Sequence, residues 1–347
     1  MALSFGRKKV TVGLDIGSGL IKVAVIDHSR KEPELVRAAV APLIADAIVE
    51  GEVMDPGIVA EAIKAALASA GVTSKYVVIA VGGRDVIIKK IQVERVKEQQ
   101  LRELLRWEAE QHVPFDVESV ELDHQTLDPD GDSPEMSVLL VAAKRELIES
   151  KLRVLSEAGL AASIVDIESF ALHNGFELNH PDAMTGIVSL LNIGNDVTTI
   201  NILDEGVPLL TRDIAVGTRR LREDLMRERG LGADEAQALL QGFDKSPHID
   251  AVLETRVEEI AVGVERAVAF LQQNSRGAEL KQVYTCGGGS RIPGLNDKLG
   301  ERVRVAALLA NPLANLKVRD GALESLVTDE IAPLLMLPIG LALRQVA

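Results

Sequence analysis

The sequence has little cysteine, few aromatic residues and an excess of acidic charge. Cys286 stands alone, which excludes an internal disulfide framework and a cysteine-rich zinc site. Aromatic residues make up 3% of the chain, too few for rows of stacking platforms that bind single-stranded nucleic acid. With 38 basic and 52 acidic residues, the net charge is −14. Because this charge repels a phosphate backbone, we expect no nucleic-acid partner.

Long apolar runs are also lacking. The most apolar stretch, residues 331–343, contains two prolines and is shorter than the roughly 20 apolar residues that span a bilayer. Asp15 and Gly17 interrupt the apolar run near the start, so a signal peptide is not predicted. We therefore expect a cytoplasmic protein without direct membrane insertion, which a protein partner can still hold at a membrane.

The length and an internal duplication predict two lobes. A chain of 347 residues exceeds the roughly 250–300 residues at which one core usually stops growing. Residues 10–27 have the pattern of two β-branched strands joined by the turn Gly17–Ser18–Gly19, typical of a hairpin. Residues 187–203 repeat the strand, glycine turn and strand. Such a distant repeat predicts two related lobes that face each other.

The segment from about 82 to 163 has a different pattern. It predicts a strand, a charged helix, two strands and a second helix, which together form a small α+β subdomain inserted in the first lobe. We assign residues 1–186 and 331–347 to the first lobe. The second lobe is predicted over 187–330, with a helical subdomain over about 233–286.

The first glycine turn has the composition of a phosphate-binding loop. Backbone N–H groups reach phosphate oxygens where no Cβ blocks them, which favours Gly17 and Gly19 in this role. Ser18 can donate its hydroxyl, and Lys22 supplies a positive charge. Asp15 can hold Mg²⁺ through water, since this ion keeps several of its waters.

Two further glycine turns follow predicted strands. Gly194, with Thr198 and Thr199, can enclose the other side of the phosphates. The run Gly287–Gly288–Gly289, before Ser290, offers a flat surface for a purine and a ribose. Each turn alone is typical of a tight hairpin or a flexible connection. Their order and their common strand context favour a nucleotide site.

These motifs resemble the superfamily of actin, the heat-shock chaperone ATPases and the sugar kinases. Residues 15–22 match its first phosphate loop, 192–199 its second and 287–295 its adenosine loop. Residues 166–172 resemble the first connection between the lobes, and 337–344 the closing one. The resemblance implies an α/β, actin-like ATPase fold with two ribonuclease H-like lobes, and ATP or ADP with Mg²⁺ between them.

Within that superfamily the chain resembles the type IV pilus assembly protein PilM family, relatives of the division protein FtsA. The segment from Trp107 to Phe115 separates this family from actin and the chaperones. The resemblance implies a scaffold of the pilus inner-membrane complex, with other inner-membrane components as partners. It also implies a groove, between the first-lobe core and the insert, for the N-terminal cytoplasmic peptide of PilN. Self-association is left open.

The motifs and the resemblance together give the candidate site residues. The nucleotide-binding candidates are Gly17, Ser18, Gly19, Lys22, Asn192, Gly194, Thr198, Thr199, Gly217, Arg222, Gly287, Gly288, Gly289, Ser290 and Arg291. The catalytic candidates are Asp15, Asp166 and Glu168, with Asp15 also the metal candidate. One of the latter two acids can instead cap the following helix. The neighbouring charges Arg219, Arg220, Glu223 and Asp224 fit either an adenosine contact or a solvated helix face.

Asn192 departs from the family pattern, because the second phosphate loop usually carries aspartate at this place. An asparagine keeps a carbonyl for water-mediated metal contact but loses the negative charge and accepts a proton poorly. It can also serve only to close the turn. We expect ATP binding with slow or absent hydrolysis.

Two other functions remain open on the same fold. A small-molecule kinase needs a catalytic aspartate and a substrate pocket, and Asn192 and the scarcity of aromatic residues weigh against it. An FtsA-like filament protein normally ends in an amphipathic membrane-binding helix, whereas this sequence ends at Ala347, just after the closing segment.

Overall fold

The computed structural model describes residues 10–242, 248–274, 279–324 and 331–345. The strands are β1 (Val10–Ile16), β2 (Leu20–Asp27), β3 (Glu34–Pro42), β4 (Ile48–Val49), β5 (Glu52–Val53), β6 (Tyr76–Val81), β7 (Val86–Glu94), β8 (Val120–Thr126), β9 (Glu135–Lys144), β10 (Ala161–Ile167), β11 (Ile187–Ile193), β12 (Thr198–Asp204), β13 (Val207–Ile214), β14 (Leu280–Cys286), β15 (Ala307–Leu309) and β16 (Lys317–Val318). The helices are α1 (Pro56–Ser69), α2 (Glu98–His112), α3 (Arg145–Glu157), α4 (Glu168–Asn179), α5 (Thr218–Arg229), α6 (Ala233–Leu240), α7 (His248–Asn274), α8 (Leu295–Val303) and α9 (Met336–Ala342).

The first lobe is built on a mixed sheet in the order β10-β6-β1-β2-β3-β16. The predicted hairpin forms its centre, where β1 and β2 pair antiparallel and Asp15 lies opposite Lys22. Helix α1 begins at Pro56, directly after its N-cap residue Asp55. The Asp55 carboxylate accepts a hydrogen bond from the backbone N–H of Ile58 at 3.0 Å, as an N-cap should, and Pro56 occupies the first turn.

The second lobe repeats this plan in a sheet of order β13-β12-β11-β14-β15. Its central pair, β11 and β12, is antiparallel, and β14 joins β11 in parallel just as β6 joins β1. Helices α5, α6, α7 and α8 pack on this sheet around one apolar core. The duplicated arrangement confirms the predicted actin-like α/β fold with two related lobes.

The insert is a three-stranded antiparallel sheet, β7-β9-β8, covered by α2. Its apolar core is separate and comes from these elements and from the segments that join α2 to β7 and to β8. Helix α3, predicted as part of the insert, follows β9 without an intervening residue. Its Val154 and Leu155 join the apolar core of the first lobe instead. The helix therefore connects the insert to the lobe that carries it.

The chain returns to the first lobe earlier than the predicted boundary at 330. Strand β16 pairs in parallel with β3, at the edge of the first-lobe sheet. Strand β14, predicted within the helical subdomain, is a central strand of the second-lobe sheet. Both positions depend on strand pairing between distant segments, which the local sequence pattern does not report.

Helix α9 packs against α4 and β1 at unusually close range. A Cβ at Gly340 would overlap the backbone carbonyl oxygen of Ala171, and one at Gly13 would overlap that of Pro338. Glycine at these two places lets three backbone segments approach directly. Across the described ranges, we find no helix that combines the length and the apolarity needed to cross a bilayer.

Candidate functional site

A cavity of about 820 Å³ lies between the two lobes, where the three glycine turns end their strands. We call it the inter-lobe cavity. Its volume falls in the range of about 300–1,000 Å³ that is common for small-molecule sites. The sequence-predicted residues that line it are Asp15, Gly17, Ser18, Gly19, Lys22, Glu168, Asn192, Gly194, Thr199, Arg222, Gly287, Gly288, Ser290 and Arg291. The fold thus brings together turns that lie more than 250 residues apart in the sequence.

Four predicted residues lie outside the lining: Thr198, Gly217, Gly289 and Asp166. The Thr198 hydroxyl is buried and donates to the Val216 carbonyl at 2.7 Å. Gly217 precedes α5 and passes close to the backbone of the second turn. Gly289 is buried against Ile193. These three residues support the turns from behind.

Asp166 faces away from the inter-lobe cavity and is paired instead. Its carboxylate accepts two hydrogen bonds from the Arg344 guanidinium, at 2.6 and 2.8 Å. Glu168, two residues later, lines the cavity. The local sequence does not show which of the two acids faces the cavity. Both lie at the junction where β10 ends and α4 begins at Glu168. The deciding partner, Arg344, is 178 residues away from Asp166.

The floor of the cavity is an ion pair between the two strands of the first hairpin. The Lys22 ammonium group donates to a carboxylate oxygen of Asp15 at 2.5 Å. Both side chains are largely buried. The backbone N–H of Gly17 closes the turn on the Leu20 carbonyl at 3.2 Å. A positive charge and a carboxylate therefore lie side by side next to the first glycine turn.

Asn192 joins the second turn to the third. Its carbonyl oxygen lies 3.9 Å from the Cys286 sulfur, whose pKa is raised to about 12 by burial, so that the thiol stays protonated. Gly287, which follows Cys286, has φ +83°, and a Cβ there would overlap the same side-chain oxygen of Asn192. Glycine is required at 287 on both grounds.

The third turn is held by its own polar side chains. The Ser290 hydroxyl donates to the Gly287 carbonyl at 2.7 Å. On the facing wall, the Arg222 guanidinium donates to the side-chain carbonyl of Gln237 at 3.4 Å. The sequence did not predict Gln237 as a site residue, because the residues around it in α6 give no sign that its side chain faces a cavity.

Charged contacts join the two lobes beside the cavity. The Arg219 guanidinium donates to Asp196 of the second lobe at 2.9 Å and to Asp46 of the first lobe at 3.0 Å. We call these three residues the clasp. Beside them, the Asn195 amide reaches the Ser18 hydroxyl at 3.5 Å. From the sequence, Arg219 fitted either an adenosine contact or a solvated helix face. Its partner Asp46 is 173 residues away, and no local pattern reports such a pair.

The remaining charges of α5 have other surroundings. Asp224 is buried and paired with Arg227 at 2.6 Å and with Arg256 at 2.5 Å, so that it links α5 to α7. Arg220 is half exposed, and its nearest acid is Glu259 at 3.9 Å. Neither side chain is part of the cavity lining.

Glu168 has the most perturbed carboxyl group of the cavity. Burial raises its pKa to about 7, and the negative charges of Asp15 and Asp213 act in the same direction. The positive charges of Lys151 and Lys22 oppose the rise. Perturbation of this kind is common at functional sites.

Asp213, on β13, is a further acid near the cavity that sequence analysis missed. Burial raises its pKa, while a hydrogen bond with the Thr199 side chain opposes the rise. One of its carboxylate oxygens is buried without a hydrogen-bond partner among the described residues. Within those same residues, no cluster of three or more His, Cys, Asp or Glu side chains is arranged to hold a metal ion.

Comparison with known proteins gives one family and several solved structures. The model of the family "Type IV pilus assembly protein PilM" matches residues 13–346. A solved PilM-PilN type IV pilus biogenesis complex contains a chain 27% identical to this one, with a TM-score of 0.84. The alignment covers 97% of this chain and 98% of that chain.

More distant structures share the fold. The ethanolamine utilization protein EutJ from Carboxydothermus hydrogenoformans is 19% identical, with a TM-score of 0.58, over 96% of this chain and 89% of that one. MreB 5 of Spiroplasma citri, solved with bound AMPPNP, is 13% identical, with a TM-score of 0.53, over 96% of this chain and 95% of that one. At these identities the likeness extends to the fold alone.

Proposed function

Because this chain belongs to the type IV pilus assembly protein PilM family, we propose that it is an ATP-binding scaffold of a pilus inner-membrane complex. It binds the N-terminal cytoplasmic peptide of a PilN-type membrane protein, and this partner holds it at the inner membrane. The observation that carries the nucleotide part is the convergence of three distant glycine turns on one inter-lobe cavity.

The residues of the cavity fit an adenine nucleotide with Mg²⁺. Backbone N–H groups of the glycine turns and the Lys22 ammonium group would hold the phosphates. The wall of Arg222 and the third turn would receive the adenosine. Asp15 is the carboxylate best placed to orient Mg²⁺ through its waters, and the ion would neutralise phosphate charge. Gly17 supports this fit, because a Cβ there would come within 3.5 Å of the Lys22 ammonium group and 3.9 Å of the Asp15 carboxylate, the two groups that would hold the phosphates and Mg²⁺.

Asn192 makes this scaffold a weak hydrolase. An amide does not take up a proton from an attacking water as a carboxylate does. Glu168 is then the acid of the cavity to which we assign the orientation of water, and its raised pKa leaves about half of it protonated near pH 7. ATP therefore acts mainly as a bound ligand that holds the lobes together.

The partner groove lies where the insert meets the first-lobe core. The PilM-PilN complex of the similar chain motivates this partner. In the three-stranded insert sheet, β8 is an edge strand, and an extended peptide can add to such an edge. On the first-lobe side, Arg344 pairs with Asp166 and is near enough to Asp123 of β8 for that charge to act on its pKa. These residues line both sides of the proposed groove.

Calorimetric titration with ATP and Mg²⁺ tests the nucleotide part. The unmodified protein should bind, and Lys22→Met should weaken binding by at least about tenfold through loss of a phosphate-facing charge. Lys64→Met is the matched control, because Lys64 is exposed and paired with Glu61 on the same helix. No uptake by the unmodified protein would refute the nucleotide site.

A pull-down with a synthetic PilN N-terminal peptide tests the partner, with a scrambled peptide as the control. The native peptide should bind, and Asp123→Lys, which reverses a charge on β8, should weaken its binding. Binding is measured with and without ATP. Failure of the native peptide in both states would remove the partner while leaving the nucleotide proposal standing.

A further inference from the structure

Lys151 occupies a position where an apolar residue is expected. It lies on the inward face of α3 with Val154 and Leu155, which belong to the first-lobe core. Its side chain is 6% exposed. Lysine is rarely buried to this degree unless a partner compensates its charge. The ammonium group of Lys151 therefore needs a polar partner.

The ammonium group of Lys151 reaches the base of the first glycine turn. It donates to the backbone carbonyl of Ile16 at 3.3 Å. Ile16 ends β1 and is followed directly by Gly17, and both residues line the inter-lobe cavity. Lys151 itself is outside the lining. It thus contacts the turn from behind, where a bound ligand would not touch it.

The same charge acts on Glu168. Burial raises the pKa of this carboxyl, Asp15 and Asp213 raise it further, and Lys151 is the strongest influence that lowers it, ahead of Lys22. These four side chains come from β1, β13, α3 and β2, the elements that surround the carboxylate. The Glu168 side chain packs over Gly82, at the entry to the insert, where a Cβ would overlap it.

We propose that Lys151 is a positioning residue of the nucleotide site, which holds the first glycine turn from outside the cavity and places a positive charge near Glu168. This inference rests on the proposed nucleotide binding. A purely structural lysine would need only some nearby carbonyl. Lys151 instead contacts the carbonyl that precedes the phosphate-binding turn, and its charge acts on Glu168, the one glutamate of the described cavity lining.

The placement of Lys151 also connects the insert with the cavity. Strand β9 of the insert ends at Lys144 and α3 begins at Arg145, so no flexible linker separates them. A shift of the insert sheet would move α3 and its lysine relative to the turn. The residue is thus placed to make nucleotide affinity depend on what the insert binds.

Titration with ATP and Mg²⁺ provides the first test. Lys151→Met should weaken ATP binding by about tenfold, because the first glycine turn loses its support and a positive charge behind that turn is removed. Lys151→Arg keeps the charge and should stay within about threefold of the unmodified protein. Arg153→Met, at an exposed site on the same helix, should have no effect. Unchanged binding by folded Lys151→Met would overturn the proposal.

A double-mutant cycle separates positioning from mere support of the fold. If Lys151 acts through the carboxylate, Lys151→Met and Glu168→Gln should combine non-additively in ATP affinity, by at least about threefold. Additive effects would overturn the proposal. Should Lys151→Met not fold, Lys151→Gln takes its place, since its amide can still donate to Ile16.

The outcome also distinguishes this proposal from the wider one. An unmodified protein that takes up no ATP would refute both. An unmodified protein that binds ATP, with additive effects of the two substitutions, would refute the role of Lys151 alone.

Discussion

At the scale of single residues, Asn192 is the substitution that bears most directly on turnover. Asn192→Asp restores a carboxylate beside the phosphate position that we propose, and a general base typically adds a hundredfold or more to a rate. We expect ATP hydrolysis to rise by at least about tenfold, a smaller gain because Cys286 contacts the same side chain. Phosphate release under saturating ATP measures it.

Asn192→Ala is the control for this gain, since it removes the amide without adding a carboxylate and should leave turnover at its low level. Brisk hydrolysis by the unmodified protein would contradict the assigned role of Asn192. An Asn192→Asp protein that binds ATP without any gain in rate would contradict it as well.

The Glu168 carboxyl makes a second prediction, on pH. Its pKa of about 7 in the folded protein lies above the ordinary value of 4.5, so the folded state keeps this proton over a pH range in which the unfolded chain has lost it. The resulting stabilisation is complete below about pH 4.5 and is lost as the pH rises through about 7. The free energy of unfolding should fall across this range by about 3 kcal/mol from this group.

Denaturant unfolding of the unmodified protein and of Glu168→Gln, at several pH values from 4.5 to 8, isolates this contribution. The free energy of unfolding of the glutamine variant should fall less steeply as the pH rises, because this variant lacks the Glu168 contribution. Asp213 and the other acids titrate in both proteins and do not affect the difference. Parallel curves for the two proteins would show that Glu168 titrates normally.

The sequence predicted those cavity residues that are marked by their immediate neighbours in the chain. Glycine next to a predicted strand end marks Gly17, Gly194 and Gly287 without reference to any other segment. Asp213 and the orientation of Asp166 depend on packing between distant segments, and no single-sequence pattern reports such pairs.

At the scale of elements, the same division applies. Helix α1 was predictable because Asp55 and Pro56 mark its start within the segment itself. The assignment of α3 to the first-lobe core and of β16 to the first-lobe sheet was not. The apolar pattern of α3 or of β16 suits several packing partners equally well, so it does not show which partner the folded protein uses.

The contact of α9 with α4 gives a prediction at this scale. Gly340→Ala places a methyl group on the Ala171 carbonyl, so the two helices must separate. We expect a loss of about 3 kcal/mol or more in the free energy of unfolding, the upper end for overpacking. Thermal and denaturant unfolding measure it.

Gly57→Ala in α1 is the matched control, because a Cβ there makes only an ordinary contact with Asp55. It should leave stability unchanged or slightly raised, since alanine favours helix more than glycine. Equal stability of the two variants would mean that the α9 contact yields without strain.

At the scale of the whole molecule, the clasp should control how quickly a nucleotide leaves. Arg219 holds Asp196 and Asp46 from opposite lobes, with Asp196 largely buried. Arg219→Ala removes both contacts, so the lobes should open more often. We expect dissociation of a fluorescent ATP analogue to accelerate by about tenfold, equivalent to about 1.4 kcal/mol. Stopped-flow displacement measures the rate.

Arg220→Ala removes the neighbouring charge without touching the other lobe, and its dissociation rate should match that of the unmodified protein. Equal acceleration by both variants would assign the effect to net charge. High salt should accelerate release from the unmodified protein more than from Arg219→Ala.

The two-lobe plan was itself predictable, because the duplicated strand-turn-strand pattern at 10–27 and 187–203 carries it. The path of the chain between the two lobes was less predictable. The second lobe is inserted into the first, and the first-lobe sheet is completed by β16.

This return of the chain has a consequence for biosynthesis. Strand β1 leaves the ribosome early, but the α9 backbone that packs on Gly13 is translated more than 300 residues later. The second lobe, whose sheet elements lie within 187–309, can complete its own core while that face of the first lobe still lacks its covering helix. The first lobe is therefore completed last, although its translation begins first.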